Sequence, residues 1–173
     1  MKALLLLMLL LILGCRDVTR EPNPTLCDEL TEVELLIGWY RCYDIDATTE
    51  IYLGSQELIG SIPPEIGYLT NLTYLNLYNN QLTGEIPPEI GNLTNLHFLD
   101  LGYNELEGQI PEGISNLTNL ETLHINWTHI TGEIPNSIGN LTSIEIIHFN
   151  DNQLSGLIPD SICNLNLNFV KFI

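Results

Sequence analysis

Residues 72–95 read LTYLNLYNNQLTGEIPPEIGNLTN, and residues 96–119 read LHFLDLGYNELEGQIPEGISNLTN. Laid one above the other, their aliphatic, asparagine, glycine and proline positions coincide. Residues 120–143 (LETLHINWTHITGEIPNSIGNLTS) and 144–167 (IEIIHFNDNQLSGLIPDSICNLNL) continue the register. A degenerate copy, TTEIYLGSQELIGSIPPEIGYLTN, precedes them from Thr48. Leu72, Leu96, Leu120 and Ile144 thus recur at intervals of 24 residues. No single copy can bury its own apolar edge, so the repeat predicts a stack in which each unit covers the next.

Within a unit, Leu75 and Leu77 alternate with polar or aromatic neighbours, the period-two pattern of a half-buried strand. Ile51 and Leu53, Leu99 and Leu101, Leu123 and Ile125, and Ile147 and Phe149 occupy the same places and predict one parallel sheet. Leu82, Ile86, Ile90 and Leu93 and their equivalents turn inward further round, each worth roughly 1.5–3 kcal/mol when fully buried. Asn80, Asn104 and Asn152 stand where the chain leaves the strand, with amides suited to backbone groups left unpaired by the bend. Gln56 and Thr128 replace that asparagine, and a weaker ladder is expected at Thr128. A glycine of fixed period (Gly84 in the second unit) permits the following bend, and a proline of fixed period (Pro87) starts the next segment.

The L-x-x-L-x-L-x-x-N-x-L framework resembles the leucine-rich repeat. LTGEIP at 82–87, LEGQIP at 106–111, ITGEIP at 130–135, LSGLIP at 154–159 and LIGSIP at 58–63 are similar to the plant-type L-x-G-x-I-P form. That resemblance implies an α/β-type leucine-rich repeat solenoid, a curved right-handed coil. Its parallel β-sheet would line the concave face, with short 3-10 or helical turns on the convex side and a second short strand in each coil. It also implies recognition of a protein, peptide or glycan. Such repeats carry no catalytic residues, so the chain is expected to be neither an enzyme nor a cofactor protein.

The strand positions opposite the core leucines form four columns that vary while the framework stays constant. The first holds Glu50, Tyr74, Phe98, Thr122 and Ile146; the second Tyr52, Asn76, Asp100, His124 and His148. The third holds Gly54, Tyr78, Gly102, Asn126 and Asn150; the fourth Ser55, Asn79, Tyr103, Trp127 and Asp151. The aromatic residues Tyr52, Tyr74, Tyr78, Phe98, Tyr103 and Trp127 fall in these columns, and Tyr and Trp are enriched at binding hot spots. The expected ligand face is therefore Tyr52, Tyr74, Asn76, Tyr78, Phe98, Asp100, Tyr103, His124, Asn126, Trp127, His148, Asn150 and Asp151. Asp100, His124 and His148 share one column and offer a metal-hydrolase alternative, although parallel side chains must lean to converge on a metal. Adjacent His124 and His148 also suggest a pH-sensitive pair. N-x-T sequons begin at Asn71, Asn92, Asn116, Asn126 and Asn140.

The formal charge is −17, from 5 Lys+Arg against 22 Asp+Glu, and no basic residue lies between Arg41 and Lys171. Nucleic acid, whose binding needs Lys and Arg to replace counterions, is excluded as a partner. The opening MKALLLLMLLLILGCR carries one Lys and an apolar run from Ala3 to Leu13, the layout of a secretion signal. Gly14-Cys15 after bulky Ile12 and Leu13 resembles a bacterial lipobox, implying cleavage before a lipidated Cys15 and a membrane anchor at the outer membrane or cell surface. The alternative is a secreted eukaryotic ectodomain of the plant receptor type. Cys27 and Cys42 are close enough to bridge in an oxidising compartment, leaving Cys163 odd. The expected organisation is a signal peptide (1–14), tether (15–26), N-terminal cap (27–47, with a helix over 28–37), five repeats (48–167) and a short remnant (168–173).

Overall fold

A computed structural model describes residues 32–35, 41–165 and 167–171. The signal peptide, Cys15, the tether and Cys27 lie outside the described residues, so neither the lipid anchor nor the Cys27–Cys42 bridge is addressed by the fold. The chain forms a solenoid. Strands β1 (Glu32–Leu35) and β2 (Arg41–Asp44) pair antiparallel at its start. The helix expected over 28–37 is therefore corrected at Glu32–Leu35: EVEL also alternates with period two, and pairing with β2 satisfies its backbone.

The repeats supply β3 (Glu50–Tyr52), β4 (Ile59–Gly60), β5 (Tyr74–Asn76), β6 (Gln81–Glu85), β7 (Phe98–Asp100), β8 (Glu105–Glu107), β9 (Thr122–His124), β10 (Thr131–Glu133), β11 (Ile146–His148) and β12 (Gln153–Ser155). β13 (Phe169–Lys171) follows. The odd-numbered strands from β3 to β13 build one six-stranded sheet, parallel throughout, in which Leu75 faces Leu99 and Leu99 faces Leu123. The segment read as a remnant thus adds a sixth rung, with Phe169 opposite Ile146. The even-numbered strands from β4 pair in parallel on the flank, giving each coil its second short strand.

Opposite the main sheet, every coil makes one 3-10 turn after its proline, at 64–68, 88–92, 112–116, 136–140 and 160–164. Each proline is extended, near φ −65° in the second coil, and its carbonyl accepts the N–H three residues on, as Ile90 N–H does to Pro87 at 3.0 Å. The aliphatic rows meet between sheet and turns: Leu75, Leu99, Leu123 and Ile147 are wholly buried, as are Ile90, Ile114 and Ile138.

Asparagine amides bind the coils to one another at the strand exit. Asn104 is 6% exposed; its Nδ2 donates to the carbonyls of Leu77 (3.0 Å), Leu101 (3.0 Å) and Gly102 (3.2 Å), and its Oδ1 accepts Leu82 N–H (3.1 Å). Asn80 and Asn152 repeat the set. Thr128 is the weaker member: its hydroxyl donates to Ile125 O at 3.2 Å and shares Asn152 Oδ1, with no second arm to span the coils. Thr128→Asn is expected to raise the unfolding free energy by about 1 kcal/mol, the net value of one added buried hydrogen bond. Urea denaturation measures this, and an unchanged or lowered midpoint rejects it.

Candidate functional site

The four variable columns come together on the exposed face of the main sheet in the expected register. Tyr74 lies beside Phe98, Asn76 beside Asp100, Asp100 beside His124, and His124 beside His148. Parallel strands bring identical positions within about 4.8 Å, so aromatic residues in a column must touch. Two rows of rings result. In the first, Tyr52 meets Tyr74 at 4.5 Å, Tyr74 stacks on Phe98 at 4.4 Å and 5°, and Phe98 meets the His124 ring edge-on at 6.0 Å. His124 then stacks on His148 at 4.4 Å and 7°. In the second, Tyr78 meets Tyr103 at 5.1 Å, and Tyr103 stacks on Trp127 at 5.4 Å.

In the first row Tyr74 and Phe98 are half-buried and Tyr52, at its end, is 62% exposed; in the second Tyr78, Tyr103 and Trp127 are 36%, 40% and 50% exposed. The backbone sets Tyr103 and Trp127 apart. Ser55, Asn79, Tyr103, Trp127 and Asp151, the whole fourth column, are left-handed, with φ between 54° and 58°. They form the corner at which the chain leaves the sheet, and the corner lifts their side chains off it. Asn and Asp tolerate that conformation; a bulky aromatic there is a strained outlier at a cost on the order of 1–2 kcal/mol.

Two residues read as face residues lie deeper than their neighbours on that face. Asp100 is only 8% exposed: Oδ1 accepts Gly102 N–H at 2.9 Å and Oδ2 lies 3.1 Å from His124 Nδ1. It closes the backbone turn after its strand, as Asn76 does for Tyr78 N–H at 2.9 Å. Asn150 is likewise 8% exposed. The geometry also speaks against the Asp100, His124 and His148 metal site. One carboxylate oxygen is spent on Nδ1, and the imidazoles lie face to face, so their lone pairs run side by side rather than converging. Among the described residues no group of three or more His, Cys, Asp or Glu is placed to hold a metal ion. Asn126 is half-buried on the same face, and His129 is exposed beyond it. Cys163, the odd cysteine, is free and exposed.

Tyr52 donates to Glu50 Oε2 at 2.9 Å, and this bond, with some desolvation and the Glu50 charge, holds its phenol above the ordinary value of 10.0. Because the folded value is raised, the Glu50 contact supports the fold below the free phenol's pKa and is lost as pH rises through the folded one. Glu50→Gln is expected to bring the Tyr52 titration back towards 10, read by tyrosinate absorbance; an unmoved titration contradicts it.

A concavity of about 1270 Å³ lies not here but on the flank, where Glu85, Gln109 and Glu133 line an open trough. Those side chains are engaged in covering the next coil: a Cβ at Gly108 would sit 2.7 Å from Glu85 Cγ, and one at Gly156 2.8 Å from Glu133 Cγ. The ring-lined sheet, with its strained corner, is the stronger candidate.

A family profile described as "Leucine-rich repeat region" matches residues 52–166. Among solved structures, the leucine-rich repeat ectodomain of the receptor kinase SOBIR1 from Arabidopsis thaliana is similar at 30% identity and a TM-score of 0.70, over 99% of this chain and 90% of that one. The Arabidopsis HAESA ectodomain, solved with an N-terminally extended IDA peptide hormone, is 35% identical with a TM-score of 0.69, over 72% of this chain. A plant ice-binding protein is 35% identical with a TM-score of 0.66, also over 72% of this chain. The chain spans 21% of the HAESA ectodomain and 41% of the ice-binding protein. No curated protein matches it.

Proposed function

The chain belongs to the leucine-rich repeat family, and on that premise we propose that its concave face is a non-enzymatic recognition surface for a protein or peptide. One observation carries the reading. Tyr103 and Trp127 are kept at left-handed corners, where Asn or Gly would be easier, and they stand exposed. Strain of this kind persists where it serves function. A protein or peptide is preferred to a glycan because the stacked rings of the first row cover one another's faces and turn their edges outward, whereas sugars pack on open faces. The peptide-hormone complex of the HAESA ectodomain supports the same choice by analogy.

The domain acts outside the cytoplasm in this reading, held to the envelope through a lipidated Cys15. No helix among the described residues is long and apolar enough to cross a membrane. Mass spectrometry of the mature N-terminus tests the anchor: a mature chain that begins at an unmodified residue other than Cys15 removes it.

Trp127→Asn tests the recognition surface. The substitution removes the ring but suits the left-handed backbone. Stability is expected to rise by about 1 kcal/mol, while affinity for a peptide or protein captured from an array falls about thirtyfold, the cost of losing one hot spot. Calorimetry of the full chain reads both. Unchanged affinity, with the fold intact, refutes the proposal.

A further inference from the structure

Resting on that reading, we infer that Trp127, Asn150 and Asp151 form a seat for one cationic side chain, the guanidinium of arginine or the ammonium of lysine, at one end of the second ring row. Tyr103 covers one face of the Trp127 indole, and this is the only ring contact of Trp127 among the described residues. In the next coil, Asp151 occupies the corresponding corner with nearly the same backbone, φ 58° against 54°. The two backbones are tied together by Trp127 N–H donating to Asn150 O at 3.1 Å. The ring row therefore ends on a carboxylate rather than another ring. Coils lie about 4.8 Å apart, so a cation within ~6 Å of the indole centroid is also within reach of Asp151.

The chemistry of the groups decides the sign of the ligand. The Asn150 amide donates to Asp151 Oδ2; the reverse assignment would set two oxygens against each other, so its orientation is fixed by its neighbour. That leaves Asn150 Oδ1, on a side chain more than nine-tenths buried, without a hydrogen-bond partner. A buried acceptor without a donor is costly and invites one. The indole face, the carboxylate and the amide oxygen all attract positive charge, and none donates. A guanidinium or ammonium is the complement, since it offers donors and no acceptor. Residues 42–170 hold no Lys or Arg, and the one Lys or Arg of the main sheet is Lys171, opposite His148.

The test is a titration of the 15N-labelled full chain with Nα-acetyl-arginine amide, the uncharged citrulline analogue serving as control. Arginine amide is expected to shift the Trp127 indole N–H and the Asn150 and Asp151 amides with weak, millimolar affinity, and citrulline amide is expected not to. Asp151→Asn and Trp127→Asn should each weaken binding about three- to fivefold. Glu89→Gln, which removes one charge from the convex side, should leave it unchanged. Equal binding of citrulline, shifts centred elsewhere, or an equal loss in Glu89→Gln overturns the seat. The two readings fail separately. A peptide bound through Tyr103 and Trp127 whose affinity ignores Asp151→Asn keeps the recognition surface and removes the seat. Arginine amide bound at the seat, with no peptide or protein retained by the face, does the reverse.

Discussion

Asn104→Ala is expected to lower the unfolding free energy by about 4 kcal/mol. The amide serves three carbonyls and one N–H, and it bridges two coils as well as closing its own. Truncation leaves those backbone groups at a site only 6% exposed. A net hydrogen bond is worth about 1 kcal/mol, and a buried group left unmet costs about 1–3. Water entering the space recovers part of that, which sets the total near the sum of four net bonds. For a domain of this length the melting temperature should fall by about 8–16 °C. Asn104→Thr should cost roughly half as much, because Thr128 shows that a hydroxyl at this position still holds its own coil. A loss below about 1 kcal/mol for the alanine variant would mean that the ladder is decorative.

Gly91→Ala is expected to cost about 3 kcal/mol for a different reason. A Cβ at Gly91 would stand 2.4 Å from Gly113 O and 2.8 Å from its carbonyl carbon. The obstacle is backbone in the adjacent 3-10 turn, so no rotamer change relieves it, and the two coils must separate locally. Overpacking of a filled core usually costs 1–3 kcal/mol, and the upper end applies where the neighbour is main chain. Gly60→Ala makes the contrast, since a Cβ there meets nothing within 4 Å. Its cost is confined to the left-handed backbone, about 1–2 kcal/mol. Urea denaturation of both variants separates the mechanisms. If Gly91→Ala proves no worse than Gly60→Ala, close approach of the turns is not what selects glycine.

These two residues also mark how much of the fold could be read beforehand. The asparagine ladder was legible because one amide recurred every 24 residues at a strand exit, where backbone groups must find partners. A second ladder was not. Asn71, Asn95 and Asn119 donate to the carbonyls of Asp46, Thr70 and Thr94, at 3.0, 2.9 and 2.8 Å. Inside the recurrent L-T-N run they looked like surface polar residues, and Asn71 looked like part of a sequon. Gly91 escaped notice because its backbone is ordinary, and only the neighbouring coil reveals the need for glycine.

The candidate site was legible as a set of columns, since strand alternation fixes which side chains leave the core. What alternation cannot give is depth. Asp100 and Asn150 face outward by register, yet both are buried, one closing a backbone turn and the other paired with Asp151. The left-handed corner did leave a trace: Asn79, Asp151 and Ser55 share its column, and Asn and Asp are the non-glycine residues most at ease there. Tyr103 and Trp127 masked the signal, because no propensity places a large ring at such a backbone.

That corner restricts the alphabet from which a binding surface can be written. Extended rungs accept branched residues, as Thr122 and Ile146 do, so the first column can diversify almost without restriction. At the corner, valine, isoleucine and threonine crowd their own backbone, and the five residues found there include none of them. A library built to retarget this protein should therefore randomise the rungs broadly, and offer the corner only glycine, serine, asparagine, aspartate and the aromatics.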